Sequence, residues 1–261
     1  GYWSASEKEL TAEADAAATP ANTALTTALS ALSESANARE VSVWTGFAKG
    51  DGDRTRAMFA WEANPTAFAS KPARVEIQPI DDAGKESMPA QVIASTPGEL
   101  PLMARFDLAA GRQRLRFTVL AANGDVLDRW VQAQPIPDLS TQPLVLATPK
   151  ILRGRNLVEF RAIEANPAAS PTAATRFGPT DRVLIEIECQ AEAGLTPQVK
   201  VELLNAKGDV LRTLDGPPLT NGKLRLPLPV GSLANSTSVL RVAATAGEQS
   251  AQQWVAFRVA R

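Results

Sequence analysis

The chain contains no histidine. That absence excludes a histidine-dependent catalytic triad, an imidazole general base and every histidine-ligated zinc, copper or haem site. A single cysteine, Cys189, excludes intrachain disulfides, thiolate zinc sites and iron–sulfur clusters, and it leaves the redox compartment open. No apolar run approaches the roughly 20 residues that a membrane span needs, so membrane insertion is not expected. Excess charge is missing too: 27 Lys and Arg stand against 28 Asp and Glu, a net charge of −1. This balance argues against a dedicated binder of nucleic acid or of anionic membrane. What is present is a 44% apolar fraction with only 21% charge over 261 residues. Such a composition folds, and the length suggests two domains with modest cores.

Residues 1–39 differ in kind from the rest, being rich in Ala, Ser, Thr and Leu, with two Lys or Arg against five Asp or Glu. Ser6 and Glu9 form a capping box before a short helix that reaches about Ala18, where Thr19-Pro20 interrupts it. Leu25, Leu29 and Leu32 follow at i, i+4 and i+7, one face of a second helix, expected to pack on the following domain or on a partner. The opening Gly1-Tyr2-Trp3 has neither an initiator Met nor the regions of a signal peptide, as expected of a processed product or a fragment.

From Val41 the period becomes two. Val41, Val43 and Phe47 alternate with Ser42, Trp44 and Gly46; Ala57, Phe59 and Trp61 alternate with Arg56, Met58 and Ala60. Further strands are expected at about 73–80, 102–108, 113–121 and 126–133, with Asn123-Gly124 as a hairpin signal. Pro135 and Pro137 interrupt the ladder and mark a linker. Beyond it Val183, Ile185, Ile187 and Cys189 face one way, with Leu184, Glu186, Glu188 and Gln190 on the other side. Val199, Val201 and Leu203, then Leu240, Val242 and Ala244, then Val255, Phe257 and Val259 continue the pattern. Pro217, Pro218, Pro227 and Pro229 point to loops or edge strands between Leu214 and Leu233. Many short strands without intervening helices predict an all-β chain. It comprises two immunoglobulin-like β-sandwich modules in tandem, at 40–137 and 138–261, behind a short helical segment at 1–39. Glu62-Ala-Asn-Pro65 returns 102 residues later and Gly124-Asp-Val-Leu127 returns 84 residues later, so the two offsets disagree and strict tandem duplication fails.

Gly1-Tyr2-Trp3, the run Trp44-Thr-Gly46-Phe-Ala-Lys-Gly50 leading to Arg54-Thr-Arg56 and Phe59-Ala-Trp61-Glu62, and Phe177-Gly-Pro-Thr-Asp181-Arg-Val-Leu-Ile185 resemble the bacterial von Willebrand factor A-related proteins, in the region after their A-type domain. The metal loop of an A-type domain, Asp-x-Ser-x-Ser, is absent; the nearest string, Asp138-Leu-Ser140-Thr-Gln142, carries Gln at the third ligand position, so no metal site is carried over. The resemblance implies an exported, non-catalytic scaffold or interaction protein, extracellular or periplasmic.

Candidate sites are sparse. Asp51 and Asp53 in the Gly-rich stretch after Lys49 read as an ordinary hairpin turn, a calcium loop being the alternative. The two Lys-Gly-Asp tripeptides, beginning at Lys49 and Lys207, fit solvent-exposed turns. Arg112, Arg114 and Arg116 share one strand face, where they meet acidic neighbours or hold a phosphate or acidic glycan. Glu186 and Glu188 sit side by side on an exposed face, unlike hydrolase carboxylates, which face each other across a cleft. Trp61 is expected in the core. Trp44 and Trp254 lie opposite the apolar faces of their strands, either stacked on sugars or covered by the helix or the other module. Cys189 reads as an inert buried thiol. No cofactor and no metal is expected. The expected partners are other protein domains or identical copies, with polysaccharide or another envelope ligand as the alternative.

Overall fold

The computed structural model describes residues 20–34, 41–64, 71–228, 230–233 and 235–260. Helix α1 (Pro20–Glu34) is followed by seven strands: β1 (Val41–Lys49), β2 (Thr55–Ala63), β3 (Pro72–Ile80), β4 (Gln91–Ala94), β5 (Ala104–Leu108), β6 (Gly111–Ala121) and β7 (Val126–Ile136). They form a three-stranded sheet, β1-β2-β5, packed on a four-stranded one, β4-β3-β6-β7. Alternation dictates what lies between them: Phe59 meets Phe106 and Phe117 edge-on at ring separations of 6.2 and 6.0 Å, with Val75, Ile77, Ile93 and Leu115 filling the same core. Trp61 is buried there as expected, its indole N–H donating to the Ile93 carbonyl at 3.0 Å.

The second sandwich repeats this strand order with its first strand broken in two. β8 (Leu144–Leu146) and β9 (Lys150–Gly154) both pair with β11 (Arg182–Ala191), whose other edge carries β14 (Lys223–Leu228). The facing sheet runs β10 (Arg176–Phe177), β16 (Gln249–Val259), β15 (Thr237–Ala246), β12 (Gln198–Asn205), β13 (Val210–Leu214). In both sandwiches the first, second and fifth strands of the basic seven oppose the other four, an immunoglobulin-like arrangement. The repeated Gly-Asp-Val-Leu stretches open β7 in one sandwich and β13 in the other. They share a turn, with Gly124 and Gly208 at φ 94° and 93°, but they stand at different places in the topology, which explains the discordant offsets.

Four expectations need correction. A helix interrupts the second sandwich: α2 (Leu157–Ala165) sits against β9 and β11, its N-terminus capped by Asn156, whose side chain accepts from the Glu159 amide at 2.9 Å. Because α2 packs over the outer face that β11 shares with its neighbour β9, Leu184 and Glu186 are buried along with Val183 and Ile185. Glu186 is therefore not on a solvated face. The proline stretch is not yet a linker at Pro135, since β7 pairs through to Ile136 and its edge position tolerates a residue without an N–H. Pro227 likewise lies in the edge strand β14.

The fourth correction concerns α1. Its Leu25, Leu29 and Leu32 do share one face, but that face skips the following sandwich and docks on the outside of the second, against Leu204, Val239, Ala256 and Trp254. The sheet there presents apolar side chains at outward positions, which need a cover. The expected helix before Ala18, Pro65 of the repeated Glu-Ala-Asn-Pro stretch and Pro229 lie outside the described residues.

Candidate functional site

The break between β8 and β9 turns Ala147 and Thr148 toward the first sandwich. Phe47 donates its amide to Thr148 Oγ1 at 2.9 Å and accepts from the Thr148 amide at 2.8 Å, so β1 is bonded directly to the second module. Met58, Ala48, Met103 and Ala147 close the seam beneath the Trp44 indole. Trp44 lies flat across its own strand because residue 46 is glycine; a Cβ there would fall 2.1 Å from the ring. Thr55 is buried, donates to the Pro137 carbonyl at 2.6 Å and accepts from the Leu139 amide at 3.1 Å, which pins the connection between modules. At the far end Glu62 accepts from Arg153 at 2.6 Å and from the Thr172 hydroxyl, while Ser170 donates to the Leu102 carbonyl at 3.1 Å.

Beside this seam runs a cleft. One end, about 880 Å³, lies between the β1/β7 edge of the first sandwich, the outer face of β16 and helix α1. Trp44, Trp130 and Trp254 all line it. One face of Trp130 is taken by Phe117, stacked at 4.9 Å and 8°, and Trp254 carries the Arg241 guanidinium 5.4 Å from its ring centre. The second end, about 790 Å³, is cationic: Arg153, Arg155, Arg176 and Arg258 line it, with Glu62 and Asp181 as the carboxylates. The two ends meet at Leu32, Ser42, Ala174 and Thr175.

The structure thus brings Trp44 and Trp254, which sequence reasoning put on separate strands, to one cleft between modules. Arg112, Arg114 and Arg116 are elsewhere, on the outer face of β6. There Arg114 donates to the Asp81 and Asp82 carbonyls and Arg116 pairs with Glu86 at 3.2 Å, so acidic-loop contacts account for two of the three. The acidic pair is split by environment. Burial pushes the Glu186 carboxyl up, but hydrogen bonds from Lys150 and Arg225 hold it below the usual carboxylate range. Glu188 is half-buried, 3.7 Å from Lys223. Asp51 and Asp53 are exposed at the β1–β2 turn, with Asp51 3.1 Å from Arg56. Cys189 is buried among apolar side chains, and desolvation pushes its thiol up to about 11.

Arg153, Arg155, Arg176 and Arg258 were not among the sequence candidates. They come from β9, the segment before α2, β10 and β16, and no local spacing signals their convergence. No family model and no curated protein matches the chain. Among solved structures it is similar to the fibronectin(III)-like modules of Clostridium thermocellum CbhA, with 10% identity, 79% of this chain and 87% of that chain covered, and a TM-score of 0.21. It is also similar to Parabacteroides merdae β-glucuronidase, with 11% identity and a TM-score of 0.26; the match covers 82% of this chain and spans 24% of the glucuronidase.

Proposed function

We propose that the chain is a non-catalytic structural and protein-interaction element of an exported bacterial protein, divided at 1–39, 40–137 and 138–261 and standing after an A-type domain of the von Willebrand factor A-related kind. The observation that carries this reading is the seam: reciprocal bonds between Phe47 and Thr148, the Thr55 anchor and the Glu62 contacts join two sandwiches into one unit. Fixed relative geometry is what a spacer or docking platform requires, and default inter-domain contacts do not provide it. The buried carboxylates also serve structure. Hydrogen bonds from Lys200 on its own strand and from Arg241 hold Glu202 below the usual range, Arg241 reaching it across the strand pair as Arg225 reaches Glu186. Its partners on this reading are other protein domains or identical copies. Small-angle scattering with native mass spectrometry tests it: one narrow distribution of module separations is expected, and a spread typical of freely jointed domains would overturn the reading. The Trp-lined end of the cleft favours a second reading, a binding module for polysaccharide or another envelope ligand.

A further inference from the structure

Several arginines of the seam and the sheets are spent on carboxylates: Arg56 on Asp107, Arg153 on Glu62, Arg225 on Glu186 and Arg241 on Glu202. The three remaining in the cationic end of the cleft are not. Among the described residues, no ion pair or side-chain hydrogen bond engages the guanidinium of Arg155, Arg176 or Arg258. Arg176 and Arg258 are, moreover, register partners on parallel β10 and β16, flanked by the buried pair Phe177 and Val259, so both project from the same outer face. Like charges placed directly opposite in a sheet repel, and Arg258 is half-buried, which weakens screening by water. Glu62 is already committed to Arg153 and Thr172, and Asp181 accepts from the Gly178 amide. The cleft therefore holds more positive than negative charge, on the planar fork donors that suit carboxylates.

Trp254 and Arg258 lie on the same outward side of β16, four residues or about 13 Å apart at strand rise, more than one sugar ring. The cleft has tryptophans at one end and arginines at the other, which matches a chain of rings bearing acid groups better than a lone oxyanion.

We propose that this cleft binds an acidic polysaccharide, with uronate carboxylates on Arg155, Arg176 and Arg258 and sugar rings against the tryptophan-lined end. The proposal deepens the envelope-ligand reading and is independent of the rigid seam.

Calorimetric titration of the full chain with oligogalacturonate and oligomannuronate tests it. The comparison ligands are the methyl-esterified oligomer, which keeps the rings but not the charge, oligoglutamate, which keeps the charge but not the rings, and inorganic phosphate. At least one uronate oligomer should bind about tenfold more tightly than all three comparison ligands. Arg176→Gln with Arg258→Gln should weaken it about tenfold or more, and so should Arg155→Gln, an exposed site whose replacement leaves the fold alone. The double variant should melt no lower than wild type, because it removes a like-charge pair. Trp254→Ala should weaken the uronate oligomers and leave oligoglutamate unchanged, whereas Leu25→Ala, which loosens α1 on the same contact but keeps the indole, should weaken them less. Equal binding of oligoglutamate would make this an acidic-peptide site, equal binding of the ester a neutral-glycan site, and equal binding of phosphate a simple anion site; each overturns the proposal. Failure of both uronate oligomers to bind overturns it too, while the scattering test of the seam would stand unaffected.

Discussion

Glu186 has 3% of its surface exposed, between Ile185 and Ile187 at 0%, so β11 is buried on both sides in this stretch. A carboxylate there survives because Lys150 at 2.8 Å and the Arg225 fork at 2.5 Å replace its water. Removing it leaves two cations in the same enclosure, and breaking such a pair costs about 3–5 kcal/mol. Glu186→Ala should therefore destabilise at least as much as Ile187→Ala, for which cavity formation costs about 2–5 kcal/mol, while Glu188→Ala should cost about 0.5 kcal/mol or less. Urea titration of the three variants checks this order. The pH dependence has a definite sign. Because the Glu186 carboxyl is held below its ordinary value when folded, its contribution is complete above the unfolded pKa of about 4.3 and is lost as pH falls through the folded value. Glu186→Gln should accordingly flatten the acid limb of stability against pH. The alternation of hydrophobic residues made Ile187 readable as core from the sequence. It could not show that Glu186 was buried as well, since that depends on α2 and β9, which reach β11 through the tertiary fold.

At the scale of elements, those the sequence revealed are the ones whose signals are local. The β6–β7 hairpin follows from Asn123-Gly124, and α1 from its leucine spacing, with Pro20 at its first turn. Strands β4, β8 and β9, of 4, 3 and 5 residues, are too short to show a period and exist through their pairing. Helix α2 has a local signal in Asn156-x-x-Glu159: the Asn156 side chain accepts from the Glu159 amide, and Glu159 Oε2 reaches back to accept from the amide of Arg155, just before the cap, at 2.8 Å. Asn156→Ala should cost about 1 kcal/mol. Gly154 permits the close approach of α2, since a Cβ there would fall 2.7 Å from the Phe160 backbone nitrogen. Helix α1 makes a sharper case, because its register was readable and its destination was not. Leu32 is 4% exposed against Leu204, Val239 and Ala256, so Leu32→Ala should destabilise by about 2–5 kcal/mol. Its signature is spatial: Trp254 emission should shift in this variant while Trp61, buried in the first sandwich, stays unchanged, which single-tryptophan backgrounds would resolve. An equal response from Trp61 would mean that the helix is coupled to the first sandwich after all.

For the whole molecule the question is what couples two sandwiches that each have their own core. The seam is small in apolar content, so its polar bonds carry the specificity. Glu62 is central among them, as the end of β2 meets both Arg153 on β9 and Thr172 in the segment before β10. Thr148 supplies the second anchor through its reciprocal bonds with Phe47. Neither was visible in advance, because each partner lies roughly a hundred residues away. Two sandwiches could be inferred from strand number, whereas their mutual orientation depends on these distant pairs. A buried or half-buried group that loses its partner costs about 1–3 kcal/mol, and Glu62→Ala combined with Thr148→Ala orphans Arg153, the Thr172 hydroxyl and the Phe47 amide together. Both cores remain intact in this variant, so each sandwich should still fold. Calorimetry of the wild-type chain should therefore show one cooperative transition, and the double variant two that are resolved or broadened, with a wider spread of module separations by small-angle scattering. If the double variant kept a single sharp transition at an unchanged temperature, the coupling would rest instead on the Trp44, Met58 and Met103 contact. Trp44→Ala would then be the substitution that separates the two sandwiches.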